Sequence, residues 1–272
     1  MTKAGTIQSS TGMTIRYWRQ ARGLSQMALA LDVGVSPRHM SFVETGRSKP
    51  SRDLLMRLAS ALQIPGREEN TLLEGAGYAR RYVESDFTDP DLAQVRRTLR
   101  FLLDRHEPNS ALVFDRHWNI VMSNEAHRDT VRFLTDGRVL PEEVSDNLLR
   151  LTFHPDGLRP FIANWDVVGP ALITRLERES ESNPSDSKLG ELVNEMREYT
   201  PVRRAKIRLH SGDQLLLPVH LRKGEVDLKL FSVLSTIGSA IDLTLQELVI
   251  ETFFPADQST EVQLAELRRR RS

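Results

Sequence analysis

The sequence predicts two domains of different class: five short helices, then an α+β domain with an antiparallel sheet. Three observations carry this. At 272 residues the chain is longer than one average domain. Apolar residues recur at helical spacing from about residue 13 to residue 76, whereas later segments are rich in β-branched and aromatic residues, with alternation in part. Charge is also uneven. Residues 1–85 hold twelve Lys and Arg against seven Asp and Glu, an excess of five, although the whole chain has a formal net charge of +0. A basic N-terminal module on an acidic body points to a phosphate-facing end and a body that does not bind DNA.

Composition narrows the class. With 39% hydrophobic and 27% charged residues the chain reads as an ordinary globular protein. No run of about 18 apolar residues exists and residues 1–12 are polar, so neither a membrane span nor a secretory signal is expected. There is no cysteine. That removes disulfides, thiolate zinc sites and thiol catalysis, and fits a reducing, cytoplasmic setting.

The first helix is predicted over Met13 to Arg22, with Ile15 and Trp18 inward and Gly23 closing it. Ser25 and Ser36 are each placed to cap a short helix, and Pro37 follows at the first helical position, where a missing N–H costs nothing. Gly34 supplies the turn between these helices, and Gly46 ends the second. Leu29, Ala30 and Val33, then Met40 and Val43, are their buried faces. Such a pair can lay its second helix in the DNA major groove. Ser51 caps a fourth helix carrying Leu54, Leu55, Leu58, Ala61 and Leu62; a fifth runs from about Arg67 to Ala76.

Residues 79–91 lack helical period and contain Pro90, which predicts a linker. A helix follows over Leu92 to His106, then a hairpin of Ala111–Phe114 and Asn119–Met122. Helices are expected at Asn124–Leu134, Val167–Glu181 and Leu189–Tyr199, and strands at Ala205–His210, Gln214–Leu221, Leu228–Ile237 and Glu247–Phe254. The domains expected are thus 12–78, joined by 79–91 to 92–257, with 258–272 as a tail ending in a basic tip.

Catalytic patterns are missing. No Gly-x-Ser-x-Gly elbow, Walker loop or three-glycine dinucleotide fingerprint occurs. The seven histidines, at 39, 106, 117, 127, 154, 210 and 220, include no pair three or four apart, so solvated or hydrogen-bonded histidine is expected, with no metal, no cofactor and no enzyme.

The block from Leu24 to about Tyr78 resembles the lambda-repressor-like, Xre-type helix-turn-helix. Its wording Val-Ser-Pro-Arg-His-Met-Ser-Phe-Val-Glu-Thr-Gly-Arg-Ser-Lys-Pro-Ser-Arg is similar to the MmyB-like branch of those regulators. Phe-His-Pro-Asp-Gly-Leu-Arg-Pro-Phe-Ile-Ala-Asn-Trp at 153–165 and Glu-Thr-Phe-Phe-Pro-Ala-Asp at 251–257 resemble that branch's C-terminal domain. The resemblance implies an all-α five-helix helix-turn-helix domain followed by an α+β PAS-like domain with an antiparallel sheet, the latter holding a small apolar, fatty-acid-like ligand. It also implies that Gln26 meets a phosphate, that Pro37, Arg38 and Phe42 read bases with Ser41 beside them, and that Thr45 and Arg47 contact the backbone. Ser36 opens that recognition helix. Arg19 and Glu44 match an ion pair tying the first helix to the third. Related repressors often have Gln or Asn at the reading positions, where this chain has Pro, Arg and Phe.

Phe42 then stands as a thymine-methyl contact or as satellite core, and Arg38 as a guanine or a phosphate contact. Arg16, Lys49 and Arg52 are further backbone candidates. In the second domain Phe114, Trp118, Met122, Phe133, Phe153, Phe161, Phe231 and Phe253 either line a pocket or form the core that such a domain needs. Arg159, Asn164 and Trp165 cluster in an apolar stretch and are candidates for the polar end of a carboxylate-bearing ligand; alternatively Asn164 and Trp165 satisfy backbone groups at a helix start. The expected partners are a double-stranded inverted-repeat operator, a second copy of the chain in a homodimer, and the ligand, with no membrane. Two other classes stay open: an enzyme with a DNA-binding appendage, and a regulator whose second domain only dimerises or docks a protein partner.

Overall fold

A computed structural model describes residues 3–199, 217–238 and 242–269. It divides into two compact units, Met1–Glu84 with Ile241–Leu243, and Ser85–Ala240 with Thr244–Ser272.

The first unit is helical: α1 (Lys3–Ala21), α2 (Gln26–Asp32), α3 (Pro37–Glu44), α4 (Arg52–Ala61) and α5 (Gly66–Gly75). The expected caps are in place. Ser25 accepts from the Ala28 amide at 3.0 Å, Ser36 from His39 at 3.1 Å and Ser51 from Leu54 at 3.2 Å. Each satisfies an amide that the first helical turn leaves without an internal partner. Gly34 turns the chain between α2 and α3 at φ +69°, a conformation that costs glycine nothing. Ile15, Trp18, Leu29, Met40, Val43, Leu55, Leu58 and Leu73 form its core.

Helix α1 begins at Lys3, well before the Met13 read from sequence. Residues 3–12 carry no apolar stripe to announce a helix. At residue 12 the helix crosses α3 closely: a Cβ on Gly12 would sit 2.5 Å from the carbonyl oxygens of both Val43 and Glu44. Those are backbone atoms and cannot swing aside. Gly12→Ala should therefore force α1 off α3 and destabilise the unit by about 1–3 kcal/mol, read as a lower thermal midpoint; an unchanged midpoint would mean that the crossing is looser than it stands.

The second unit opens with a 3-10 turn at Pro90–Leu92 and α6 (Ala93–Arg105). There follow β1 (Ala111–Phe114), β2 (Ile120–Ser123), α7 (Glu125–Leu134), α8 (Glu142–Ser145), α9 (Leu148–Phe153), a 3-10 turn at Arg159–Phe161, α10 (Trp165–Glu181) and α11 (Ser187–Tyr199). Strands β3 (Pro218–Lys223) and β4 (Val226–Thr236), the turn α12 (Leu243–Gln246) apart from its first residue, β5 (Val249–Pro255) and α13 (Gln258–Arg269) follow. The sheet is antiparallel throughout, in the order β2-β1-β5-β4-β3. Its two faces are read off β1. Leu112 and Phe114 pack toward α9, α10 and α11, while Ala111 and Val113 pack with Leu99 and Leu103 of α6. All four β1 residues are buried, which a strand covered on both faces requires.

One expectation is untested and one is corrected. The strand expected at Ala205–His210 lies outside the described residues, as does the start of the one at Gln214–Leu221, whose described part is β3. The segment expected as a tail forms α13. Asp257 accepts from the Thr260 amide at 2.8 Å, Thr260 in turn accepts from the Lys229 amide at 3.0 Å, and Leu264 is buried. Only one side of α13 meets the sheet, so its apolar content is too low to signal a docked helix.

Candidate DNA interface and ligand cavity

Three helices of the first unit are locked by one buried network. Arg19 of α1 grips Glu44 of α3 through Nε at 2.6 Å and Nη2 at 3.0 Å, and Gln26 of α2 donates Nε2 to the same carboxylate at 2.7 Å. Burial pushes the Glu44 carboxyl up, but the bonds from Arg19 and Gln26 outweigh it and hold the group below the usual carboxylate range. Arg57 of α4 adds a tie, donating to the Val33 carbonyl at 2.8 Å at the end of α2.

On this frame α3 turns Met40, Val43 and Glu44 inward. Its other side carries Arg38, Ser41, Phe42 and Thr45, at the i, i+3, i+4 and i+7 spacing of one helical stripe. Arg38 and Thr45 are exposed and Ser41 and Phe42 half-buried. The Arg38 guanidinium lies 5.5 Å from the centre of the Phe42 ring. Thr45 donates its hydroxyl to the Ser41 carbonyl at 2.7 Å, and Arg47 is exposed beyond Gly46. Ser36 caps α3, and exposed Pro37 opens it. Thus Pro37, Arg38, Ser41, Phe42, Thr45 and Arg47 come together, whereas the Gln26 amide is engaged by Glu44. Of the outlying cations, Lys49 sits over the Tyr78 ring at 4.8 Å and Arg52 contacts the Met56 sulfur.

The second unit encloses a cavity of about 100 Å³ between the sheet and helices α7, α9, α10 and α13. Leu148, Leu149, Leu158, Ile162, Val168, Leu172, Leu221, Leu230 and Leu264 make most of its wall. Of the residues expected there, Trp118 and Phe253 line it. Phe114 lies behind, stacked on Trp118 at 5.0 Å, and Phe153 is core, edge-on to Trp165 at 4.8 Å. Met122 packs on the opposite face of the sheet, near Leu99 and Leu103. Phe133 and Phe161 flank the Lys223 ammonium at 5.2 and 5.4 Å, and Phe231 stacks on Phe254 at 5.5 Å.

The expected polar end is placed differently. Asn164 bridges to β3, donating to the Pro218 carbonyl at 2.9 Å and accepting from the His220 amide at 2.9 Å. Arg159 lies over the Trp165 ring at 4.1 Å, and burial pulls its pKa below the ordinary arginine value. None of the three lines the cavity.

Its polar lining comes instead from Ser110, His127, Thr130, Thr152, Arg175, Ser232 and Glu251, residues that the sequence did not single out for this role. Arg175 is held by Glu179 at 2.8 Å and stacks on Trp118 at 4.5 Å. Burial pushes the Glu251 carboxyl up despite a bond from Ser232 and the charge of Arg175. His127 is buried, its Nδ1 3.1 Å from the Ser110 hydroxyl; burial and then the neighbouring Arg128 charge lower its pKa from 6.5 to about 4.

That shift has a sign. Folded His127 is neutral, and the unfolded chain takes up the proton first as pH falls below 6.5. Stability present above pH 6.5 is then lost progressively toward pH 4, by up to about 3 kcal/mol. Urea midpoints across that range should show His127→Gln with a shallower loss than the parent protein; parallel curves would contradict the neutral assignment.

Comparisons with known proteins agree with both halves. Residues 95–267 match the family model described as the MmyB-like transcription regulator ligand binding domain, and residues 15–68 match a helix-turn-helix model. The chain is 29% identical over 108 residues to uncharacterized HTH-type transcriptional regulators of Mycobacterium bovis and Mycobacterium tuberculosis. Those matches span 39% of this chain and 41% of the relatives' length. Among solved structures, the restriction-modification controller protein C.AhdI from Aeromonas hydrophila is 35% identical, over 23% of this chain and 94% of that one, with a TM-score of 0.22.

Proposed function

We propose, from the premise that this chain belongs to the MmyB-like transcription regulators, that it binds duplex DNA sequence-specifically through α3 and tunes that binding to a small apolar, fatty-acid-like ligand. The observation that carries the DNA reading is the outward stripe of Arg38, Ser41, Phe42 and Thr45 on a helix whose other side is locked by Arg19, Glu44 and Gln26. Arginine grips guanine through O6 and N7, and an apolar side chain meets the thymine methyl. Thr45 and Arg47, at the far end of α3, would hold the phosphates and set the register.

The ligand reading is supported by the family match and by an apolar cavity with few polar groups, the usual character of a small-molecule site. An antiparallel sheet packed by helices is the scaffold that the PAS-like description requires. A ligand can shift DNA affinity only by the difference between its affinities for two conformations, so a switch of about 1–3 kcal/mol is expected.

One helical unit reads a few base pairs, so a homodimer on an inverted repeat completes the proposal, in the cytoplasm and without catalysis. Selection from random duplexes by the full chain should enrich an inverted repeat, and sedimentation should find two protomers per duplex. Enrichment of a single half-site bound by one protomer would sink the dimer. If the second unit only dimerises or docks a protein partner, fatty acids will leave operator affinity unchanged.

A further inference from the structure

The internal cavity shares a wall with an open groove on the outside of the same unit. The groove, of about 550 Å³, runs along β2, the end strand of the sheet among the described residues, and His127 and Val131 of α7 line both spaces. These residues are four apart, so they stand one above the other on one face of α7. Size makes the connection matter. The cavity alone, at about 100 Å³, falls short of the roughly 300–1,000 Å³ of ordinary small-molecule sites. With the groove added, the space comes within that range.

The two ends also differ in chemistry. Arg100, Arg128, Arg132 and Arg138 line the groove, with Asp146, while the cavity is walled mainly by leucine, isoleucine and valine. We propose that the groove is the vestibule of the cavity, and that it takes the anionic head of an amphiphile whose apolar tail passes His127 and Val131 into the interior. This rests on the ligand-sensing reading above and names the polarity of the ligand and its way in.

The arginines are able to exchange partners. Arg128 is paired with Glu125 through one nitrogen and donates the other to the Ser123 carbonyl at 2.7 Å, Arg132 is held by Asp129 at 3.0 Å and Arg138 by Asp156 at 3.7 Å, and the side chains of these arginines are 39%, 65% and 60% exposed. Such exposed pairs are worth about 0–1 kcal/mol, so a carboxylate or phosphate head replaces them at little cost. The interior offers an anionic head little: Arg175, the arginine of its lining, is already engaged by Glu179. The neutral His127 ring, tied to Ser110, gives the tail an uncharged edge to pass. Arg159 lines neither space.

The test uses the full chain stripped of lipid and three probes of equal tail length: octanoate, octyl phosphate and 1-octanol. At least one anion should bind about tenfold or more tightly than the alcohol, as charge-assisted hydrogen bonds to arginine allow, and the arms show whether carboxylate or phosphate is preferred. Arg128→Gln with Arg132→Gln should abolish the preference and leave octanol affinity unchanged; Arg132→Gln with Arg138→Gln, both at exposed positions, should lower it in case the first pair disturbs folding. Val131→Phe should slow octanoate association. Equal affinity for all three probes, a preference that survives both double variants, or one lost only in Arg159→Gln would overturn the vestibule. Binding of none of the probes would instead overturn the ligand-sensing reading beneath it.

Discussion

Replacing Arg19 with alanine is expected to cost about 3–5 kcal/mol, the largest effect of any single change discussed for this chain. The reason is what stays behind. The Glu44 side chain is 1% exposed, and without the guanidinium its carboxylate keeps the Gln26 amide and the more distant charge of Arg16. A unit of this size has a total stability of about 4–12 kcal/mol, so most of it is at stake. The loss should appear in the unfolding transition of the helical unit and leave that of the α+β unit in place. Arg19→Lys, which keeps the charge but not the two-pronged grip, should fall between. Substituting leucine at both Arg19 and Glu44 should cost far less than Arg19→Ala, because no charge is then stranded. A cost below about 1 kcal/mol for Arg19→Ala would contradict the buried pair.

The second large effect is on DNA. Arg38→Ala and Phe42→Ala should each lose about 1–3 kcal/mol at the selected operator while barely changing binding to random duplex. Together they should bring operator binding toward the non-specific level, a loss on the order of a thousandfold. The two changes should not be additive, because the guanidinium and ring are in contact and removing either frees the other. Arg47→Ala is the contrast. A phosphate contact carries no sequence information, so all duplexes should weaken alike. Full affinity and unchanged base preference in Phe42→Ala would place the wrong face of α3 against the bases.

The helical unit was largely legible because its signals are local. A serine before a helix, proline at its first position and glycine after it act within four residues, and Ser25, Ser36, Ser51, Pro37 and Gly34 all do in space what they promise in sequence. The cavity was not legible, for two reasons. Aromatic residues mark apolar volume without distinguishing wall from core, so the sequence does not separate Phe114 and Phe153, which are core, from Trp118 and Phe253, which line the cavity. The polar lining consists of single residues spread over β4, β5, α7, α9 and α10, such as Ser232, Glu251, His127, Thr152 and Arg175, which only the sheet and its covering helices bring together. Asn164 illustrates the converse: it sits in a suggestive stretch, yet its amide serves the β3 backbone. Short α9 has no clear signal in the sequence because six residues rich in leucine show neither helical nor strand period, and what fixes it is Asn147, which caps the Leu149 and Arg150 amides.

The central claim is that ligand in the α+β unit controls DNA binding by α3. The most direct test is the affinity of the full chain, stripped of lipid, for its selected duplex and for a scrambled one, measured while fatty acids of eight to sixteen carbons are titrated in. The claim predicts a strong preference for the selected duplex and a shift of about 5–150-fold in its dissociation constant at saturating ligand, with the scrambled duplex little affected. Equal affinity for both duplexes, or an operator affinity that no fatty acid moves, would contradict it.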